Sequence, residues 1–283
     1  MCRWLAYSGG PIVLERALFA PAHSLIDQSL HSRLGAEATN GDGYGIGWYD
    51  DFADRPGMFK SIDPAWNDSN LRELSRHIRS GHFFAHIRAA IGSAVQQTNC
   101  HPFRHDGWLF MHNGYIGGYQ QIKRDLTMAV DESLYSDIAG QADTEVLFYL
   151  AITFGLQDDP PAAISRAIGF VEEAAARKGV RDAFQGTIAT TDGKRTWAFR
   201  YATEGKPRSL FFTRDVTTLR RLYPDRAIVH EVSDDARLIV SEPIGDLPGA
   251  WIEVPESSYG VTGGDEDQLL PFVVKAPVHP VAV

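Results

Sequence analysis

The stretch MCRWLAYSGG, residues 1–10, places a cysteine at position 2, one residue before a short apolar segment that is followed by two glycines. Cysteine is small enough that removal of Met1 is expected, and Cys2 would then carry a thiol and a free α-amine. These two groups titrate within about one pH unit of each other, so the amine can accept the thiol proton. Cys2 is therefore a candidate nucleophile with its own base. The alternative is that Cys2 is only the second residue of a β-strand.

The composition is that of a globular protein and argues against several functional classes. The chain has 283 residues, of which 44% are hydrophobic, and its net charge of -9 argues against nucleic-acid binding. No apolar run approaches the ~20 residues that would span a bilayer. No basic segment or cleavage site indicates a signal peptide, and two cysteines cannot form a disulfide framework. We therefore expect a cytoplasmic protein without nucleic-acid or membrane partners.

The hydrophobic pattern predicts helices and strands in separate blocks. A helix is expected from near Ser24, and another follows residue 70 and ends at Gly81. Two more are expected over 144–156, with Asp143 as N-cap, and from Asp159 to Gly179. Strands are predicted over 4–7, 41–49, 82–88, 108–111, 187–190, 196–201, 210–213, 238–241 and 251–254. The block order favours an α+β sandwich of one domain, residues 2–283, with an extended C-terminal tail from about residue 271 that includes Pro277 and Pro280.

Two polar positions near strand ends are candidates for chemistry. Arg88 ends a strand of apolar residues and histidines, and its planar guanidinium would form a buried ion pair or bind a carboxylate through two hydrogen bonds. Asn113 and Gly114 follow the strand that ends at Met111. The Asn-Gly dipeptide is first a turn signal. An amide side chain and a backbone N–H aimed at one point also form an oxyanion hole, so both interpretations stay open.

Asp143 and the histidines allow further alternatives. Asp143 would either cap the following helix or hold the ammonium group of a substrate. His82 and His86 share one face of a strand, with Cys100 and three more histidines nearby in sequence, which raises the hypothesis of a metal site. Their spacings match no zinc motif, so we predict buried or site-flanking histidines, with neither a metal nor another cofactor. No helix pattern follows the glycines of residues 41–47, which argues against dinucleotide binding and favours a close backbone approach.

Taken together with Cys2, four short motifs resemble the class II glutamine amidotransferases, which are N-terminal-nucleophile hydrolases. The motifs occur in the order AHIRAA (residues 85–90), HPF (101–103), HNG (112–114) and ADTE (142–145). Two further stretches, residues 41–49 and 240–243, resemble the stand-alone branch of that family. The resemblance thus covers most of the chain.

The resemblance implies a four-layer αββα sandwich, with two antiparallel sheets between helical layers. It also implies a role for each candidate residue. Cys2 would be the nucleophile, Asn113 and Gly114 the oxyanion hole, Arg88 the ligand of the substrate α-carboxylate and Asp143 that of its α-ammonium. These roles agree with one another, because a zwitterionic γ-glutamyl group needs one cation, one anion and a nucleophile at its side-chain carbonyl.

The implied activity is hydrolysis of a γ-glutamyl amide or peptide through a Cys2 thioester, with release of glutamate. Two alternatives remain, a glutaminase subunit that supplies ammonia to a separate synthase and a catalytically silent module that binds γ-glutamyl compounds or a protein. The partners implied are a small γ-glutamyl substrate and either an ammonia-accepting protein or further copies of the chain. One departure concerns Ile91, where relatives often have a hydroxyl residue, and it puts free glutamine in doubt as substrate.

Overall fold

The computed structural model describes residues 2–34, 39–90, 93–264 and 267–275, and its strands form two antiparallel sheets. The first sheet has seven strands in the order β11-β9-β10-β1-β4-β2-β3, and the second has six in the order β13-β12-β8-β7-β6-β5. The strands are β1 (Arg3–Val13), β2 (Tyr44–Trp48), β3 (Gly57–Ser61), β4 (Arg79–Ile87), β5 (Phe103–His105), β6 (Trp108–Ile116), β7 (Phe184–Thr191), β8 (Thr196–Ala202), β9 (Phe211–Thr213), β10 (Arg237–Val240), β11 (Trp251–Glu253), β12 (Ser258–Thr262) and β13 (Gln268–Pro271).

Helices cover the outer faces of the two sheets. They are α1 (Glu15–Leu18), α2 (Leu25–Leu30), α3 (Ser69–His77), α4 (Tyr119–Met128), α5 (Asp143–Thr153), α6 (Pro160–Arg177), α7 (Val216–Leu222) and α8 (Ala227–Glu231). In the part of the chain that the structure describes, none of them is both long and apolar enough to span a membrane. Residues of α1, α2 and α3 pack on the first sheet, and those of α4, α5 and α6 pack on the second.

The side chains of β1 show how the layers form. Trp4 and Ala6 lie in the core between the two sheets, whereas Leu5 and Tyr7 lie in the core between the first sheet and its helices. Successive side chains of a strand point to opposite faces, so a strand buried on both faces has the near-continuous apolar sequence seen here. The predicted α+β fold of two antiparallel sheets between helical layers is confirmed.

Two predicted helix starts are also confirmed by their cap geometry. The side chain of Ser24 accepts a hydrogen bond from Asp27 N (3.2 Å) at the start of α2, and that of Asp159 accepts one from Ala162 N (3.1 Å) at the start of α6. The prediction that a helix ends at Gly81 was wrong, because α3 ends at His77 and Gly81 lies inside β4. A side chain there would meet the Gly9 carbonyl oxygen at 2.7 Å, so this glycine permits close strand contact.

Of the two interpretations left open for Asn113-Gly114, the turn does not hold in the structure. Strand β6 continues through both residues to Ile116, and Asn113 pairs with Thr187 of β7. The chain turns only at Gly118, which has a φ of 60° and immediately precedes α4. The turn preference of the dipeptide is weak next to a full ladder of pairing with β7, which therefore decides the local structure.

The C-terminal segment is anchored as far as the structure describes it. Phe272 is buried in the core of the second sheet, and Ser165 of α6 donates a hydrogen bond to the Val273 carbonyl (2.8 Å). The predicted tail residues Pro277 and Pro280 lie outside the described residues. Strands β12 and β13 have no counterpart among the predicted strands.

Candidate active site

Strand register brings three of the predicted residues to one end of the space between the sheets. Arg3 pairs with Ile87 and Trp4 with His86, so continuing the register by one residue sets Cys2 beside Arg88. Side chains two residues apart in a strand point to the same face. Cys2 therefore faces the second sheet, as Trp4 does, and Asn113 faces the first sheet, as Met111 does. The two sheets therefore present Cys2 and Asn113 to each other.

A cavity of about 110 Å³ opens at this point. All five predicted site residues, Cys2, Arg88, Asn113, Gly114 and Asp143, line it. The lining also includes five further residues of the four motifs, namely Ala89, His101, His112, Ala142 and Thr144, together with Ser93, Tyr115 and Arg208. Met1 and Ile91, which bear on two of the sequence-based predictions, lie outside the described residues.

The thiol of Cys2 is held against the backbone that follows β4. Its Sγ lies 3.5 Å from Ala89 N, which donates to it, and 3.6 Å from the Ala89 carbonyl oxygen. Burial raises the pKa of the Cys2 thiol, although the Ala89 hydrogen bond and the charge of Arg88 act in the opposite direction. The thiol is therefore protonated at neutral pH, and a nucleophilic role requires a group that accepts its proton.

Arg88 is buried but has no ion-pair partner among the described residues. Its guanidinium donates to Ser93 Oγ (2.6 Å) and, more weakly, to the Asp42 carbonyl oxygen (3.4 Å). The interpretation of Arg88 as half of a buried ion pair therefore does not hold for the described part of the chain. A buried cation without a counterion is costly, so this side chain suits an anionic ligand.

Asn113 and Gly114 present a free amide and a tight backbone contact. The Asn113 side chain is 4% exposed, and its amide makes no hydrogen bond within the described ranges. A Cβ at Gly114 would lie 1.9 Å from the Gln185 carbonyl oxygen and 2.6 Å from Gly186 Cα, so only glycine fits there. Both residues line the cavity, and the Asn113 amide is available to a ligand there.

The sequence suggested Asp143 as the N-cap of α5, but the structure shows that it is the first residue of that helix. The N-cap position is occupied by Ala142, which provides no side-chain cap. One oxygen of Asp143 accepts from Ile116 N (2.9 Å) and the other from Thr144 N (2.8 Å). A carboxylate has about four acceptor positions, so Asp143 keeps capacity for a cationic ligand. The N-terminus of α5 also favours its negative charge.

The histidines beside the cavity are buried and neutral. His86 and His101 stack with ring centroids 4.1 Å apart, and His112 Nδ1 lies 3.0 Å from Thr144 Oγ1. Burial, with repulsion from Arg88, lowers the pKa of His86 to about 3, and burial likewise lowers the pKa of His101 and of His112. Among the described residues, no group of three or more His, Cys, Asp or Glu side chains is placed to hold a metal ion.

Glu242 is the centre of a second polar group, which we call the Glu242 cluster. The carboxylate and Arg3 are both buried and form an ion pair of 2.8 Å, and Arg3 also donates to the Cys2 carbonyl oxygen (2.9 Å). Burial alone would raise the pKa of Glu242, but its hydrogen bonds and Arg3 together lower it. The other contacts of this carboxylate are with His23 Nε2 (2.6 Å), Ser32 Oγ (3.2 Å), Arg33 N (2.9 Å) and Leu34 N (2.9 Å). Glu242 thereby fixes the backbone beside Cys2.

Arg208 is the lining residue that sequence analysis had no means of finding. It lies in the connection between β8 and β9, in a polar stretch that has the composition of an ordinary surface loop. Its Nε is fully buried and has no hydrogen-bond partner in the described structure. Among the described residues, the cavity is thus lined by two arginines, Arg88 and Arg208, and by one carboxylate residue, Asp143.

Comparisons with known proteins agree with this architecture. Residues 20–203 match the family model described as glutamine amidotransferases class-II. The chain is 32% identical over 288 residues to the probable glutamine amidotransferase DUG3 of Saccharomyces cerevisiae, covering 91% of this chain and 80% of that protein. It is 32% identical over 120 residues to the γ-glutamyl-hercynylcysteine sulfoxide hydrolase of Mycolicibacterium smegmatis, covering 41% of this chain and 52% of that one.

Solved structures show the same fold. A glutamine aminotransferase class-II domain protein from Silicibacter pomeroyi superposes with a TM-score of 0.74 at 29% identity, covering 96% of this chain and 99% of that one. The glutamine phosphoribosylpyrophosphate amidotransferase of Bacillus subtilis has a TM-score of 0.62 at 14% identity, covering 97% of this chain and 50% of that one. At that identity the second likeness concerns the fold alone.

Proposed function

The chain belongs to the class-II glutamine amidotransferases, and we propose that it hydrolyses a γ-glutamyl amide or peptide with Cys2 as the nucleophile. The observation that carries this proposal is the convergence of Cys2, Arg88, Asn113, Gly114 and Asp143 on one cavity. They come from four separate regions of the sequence and supply the nucleophile, the cation and the anion that a γ-glutamyl group requires. The hydrolase from Mycolicibacterium smegmatis, which carries γ-glutamyl in its name, supports the same reaction class.

Arg88 and Asp143 bind the head of the substrate in this proposal. The guanidinium of Arg88, which has no counterion in the described residues, takes the α-carboxylate through paired hydrogen bonds. Asp143 takes the α-ammonium with the acceptor positions that Ile116 and Thr144 leave open. Holding both charged groups fixes the γ-carbonyl carbon at a set distance from the head, which is the orientation that lowers the barrier to attack.

Cys2 then attacks the γ-carbonyl carbon. After removal of Met1, the α-amine of Cys2 accepts the thiol proton, which is needed because burial raises the pKa of the thiol. The Asn113 amide and the Gly114 N–H stabilise the oxyanion of the tetrahedral intermediate. The bond to the leaving nitrogen breaks as the amine returns the proton to it. A thioester remains on Cys2, and water hydrolyses it to release glutamate and restore the thiol.

The test is glutamate release from glutamine, a γ-glutamyl dipeptide and glutathione, by the wild type and by Cys2→Ala. We expect Cys2→Ala to reduce release by more than about a thousandfold, because the nucleophile is lost. The matched control is Cys100→Ala, which removes the other thiol from a buried position outside the cavity and should retain turnover. Intact-mass analysis of each protein establishes whether Met1 has been removed.

Each outcome separates the alternatives. Release from γ-glutamyl peptides that depends on Cys2 supports the hydrolase. Release from glutamine alone indicates a glutaminase whose ammonia is used by another protein. Turnover that persists in Cys2→Ala contradicts the proposed nucleophile, and no release from any substrate by a protein that has lost Met1 indicates a binding module.

A further inference from the structure

We propose that Arg208 forms a second anion-binding position in the cavity, which holds a carboxylate on the leaving group of the γ-glutamyl substrate. This inference rests on the proposed function, because it assumes that Arg88 and Asp143 hold the γ-glutamyl head. It narrows the substrate class to γ-glutamyl amino acids and peptides with a free carboxylate beyond the scissile bond.

The first observation is that the Arg208 side chain has no partner within the described part of the chain. Its Nε is buried without a hydrogen bond, and no carboxylate of the described residues forms an ion pair with its guanidinium. Tyr115, its neighbour in the cavity lining, donates its hydroxyl hydrogen bond to Asp182, which is thereby engaged elsewhere. A buried donor that is left unpaired costs stability, so such a group in a cavity indicates a ligand that satisfies it.

Arg200 shows what a structurally used arginine looks like in the same region. Its guanidinium pairs with Glu253 (2.7 Å) and donates to the Val254 carbonyl oxygen, and its Nε donates to the carbonyl oxygen of Arg208 (2.9 Å). Arg200 therefore holds the backbone of Arg208 in place. The side chain of Arg208 makes no such contact with any residue that the structure describes.

The second observation is the position of Arg208 relative to Cys2. In the first sheet β1 lies between β10 and β4, and Arg88 follows the end of β4. Ser241 directly follows β10 and connects to both segments. Its carbonyl oxygen accepts a hydrogen bond from Ser209 Oγ (2.7 Å), and its Oγ accepts one from Trp4 N (2.9 Å). Arg208 thus approaches from the β10 side and Arg88 from the β4 side, with Cys2 between them.

This arrangement matches the charges of one class of substrate. Glutamine carries one carboxylate and one ammonium, so Arg88 and Asp143 would satisfy both and leave Arg208 unmatched. A γ-glutamyl amino acid carries a second carboxylate on the far side of the amide that Cys2 attacks. Two cations and one anion in the cavity then face two anions and one cation in the substrate.

The experiment compares γ-glutamylalanine, its C-terminal carboxamide and glutamine as substrates. We expect the wild type to favour γ-glutamylalanine over the carboxamide by about ten- to a hundredfold in kcat/KM, as for a hydrogen bond between charged groups. In Arg208→Gln this ratio should fall towards one. The matched control is Arg76→Gln. Arg76 is an exposed arginine on α3, which precedes the start of β4, whereas the cavity lies at the end of β4. Replacing Arg76 should leave the kcat/KM ratio unchanged.

The outcomes distinguish this inference from the proposed function. The inference is overturned if the wild type hydrolyses the carboxamide with the same kcat/KM as γ-glutamylalanine, or if Arg208→Gln keeps the wild-type ratio of the two. In either case the proposed hydrolase function still stands. If no substrate is hydrolysed, the proposed function fails, and calorimetry with Cys2→Ala tests Arg208 directly. The inference is supported if Cys2→Ala binds γ-glutamylalanine more tightly than its carboxamide and if adding Arg208→Gln removes this difference. Equal binding of the two compounds by Cys2→Ala overturns it.

Discussion

The cavity and the Glu242 cluster meet at Cys2, yet they differ in how completely their polar groups are paired. The Glu242 carboxylate contacts groups from three parts of the chain, namely Arg3 at 2.8 Å, His23, and residues 32–34. In the cavity, the amide of Asn113 and the guanidinium of Arg208 make no side-chain hydrogen bonds within the described residues. A saturated buried group stabilises the fold, whereas an unsaturated one is available to a ligand. Pairing therefore distinguishes the two roles where burial does not.

The largest expected effect is the loss of activity on replacing Arg88, compared with Arg3 of the Glu242 cluster. Arg88→Gln should reduce kcat/KM for the γ-glutamyl substrate about a thousandfold, roughly 4 kcal/mol, because the α-carboxylate loses its charged partner. Its effect on the free energy of unfolding should be small, since Arg88 has no ion pair among the described residues. Arg3→Gln is the matched control and should reduce stability, because Arg3 pairs with a buried carboxylate. The comparison breaks if Arg88→Gln unfolds the protein at a lower temperature than Arg3→Gln.

The Glu242 cluster gives the next largest effect, which concerns stability. Glu242→Gln should lower the free energy of unfolding by about 3 kcal/mol, because Arg3 is then buried without a counterion. Glu253→Gln is the matched control, since that carboxylate is 54% exposed in its pair with Arg200 and should change stability by less than about 1 kcal/mol. Chemical denaturation of both variants measures the difference. Equal, small losses would mean that Glu242 is dispensable to the fold.

The Asn113 amide gives a smaller effect and one confined to the reaction. Asn113→Ala should reduce kcat by about a hundred- to a thousandfold, because one oxyanion donor is lost, with little change in KM. Thermal unfolding should change little, because the amide has no partner within the described ranges. Asn70→Ala on α3 is the control for the same truncation at an exposed position. An unchanged kcat in Asn113→Ala would remove this residue from the oxyanion hole.

The buried histidines give the smallest effect, a dependence of stability on pH. The pKa of His86 falls to about 3 on folding, so between pH 6.5 and 3 the unfolded chain binds a proton that the folded one does not. Stability should therefore fall as the pH falls through this range, by up to about 1.4 kcal/mol per pH unit for this group. Denaturation at pH 7.5, 6 and 5 should show a shallower slope for His86→Leu than for the wild type. His77→Leu, which removes an exposed histidine, should keep the wild-type slope.

The sequence by itself determined the α+β class, the two capped helices and the identity of five candidate residues. These features depend either on residues close together in the sequence or on the order of motifs along it. The caps at Ser24 and Asp159 depend on donors three residues away, and the alternation of β1 follows from the geometry of a strand. The motifs around Arg88, Asn113 and Asp143 needed only their order to suggest a family.

Tertiary structure alone decided which of these groups are free and what surrounds them. The pairing of β6 with β7 overrode the turn preference at Asn113. That Arg88 has no ion pair among the described residues likewise depends on segments far away in sequence. Arg208 and Glu242 lie more than 200 residues from Cys2 in the chain, and no local pattern marks one as unpaired and the other as saturated. Hydrogen-bond satisfaction is a property of the packed neighbourhood, so it exists only once the two sheets have met.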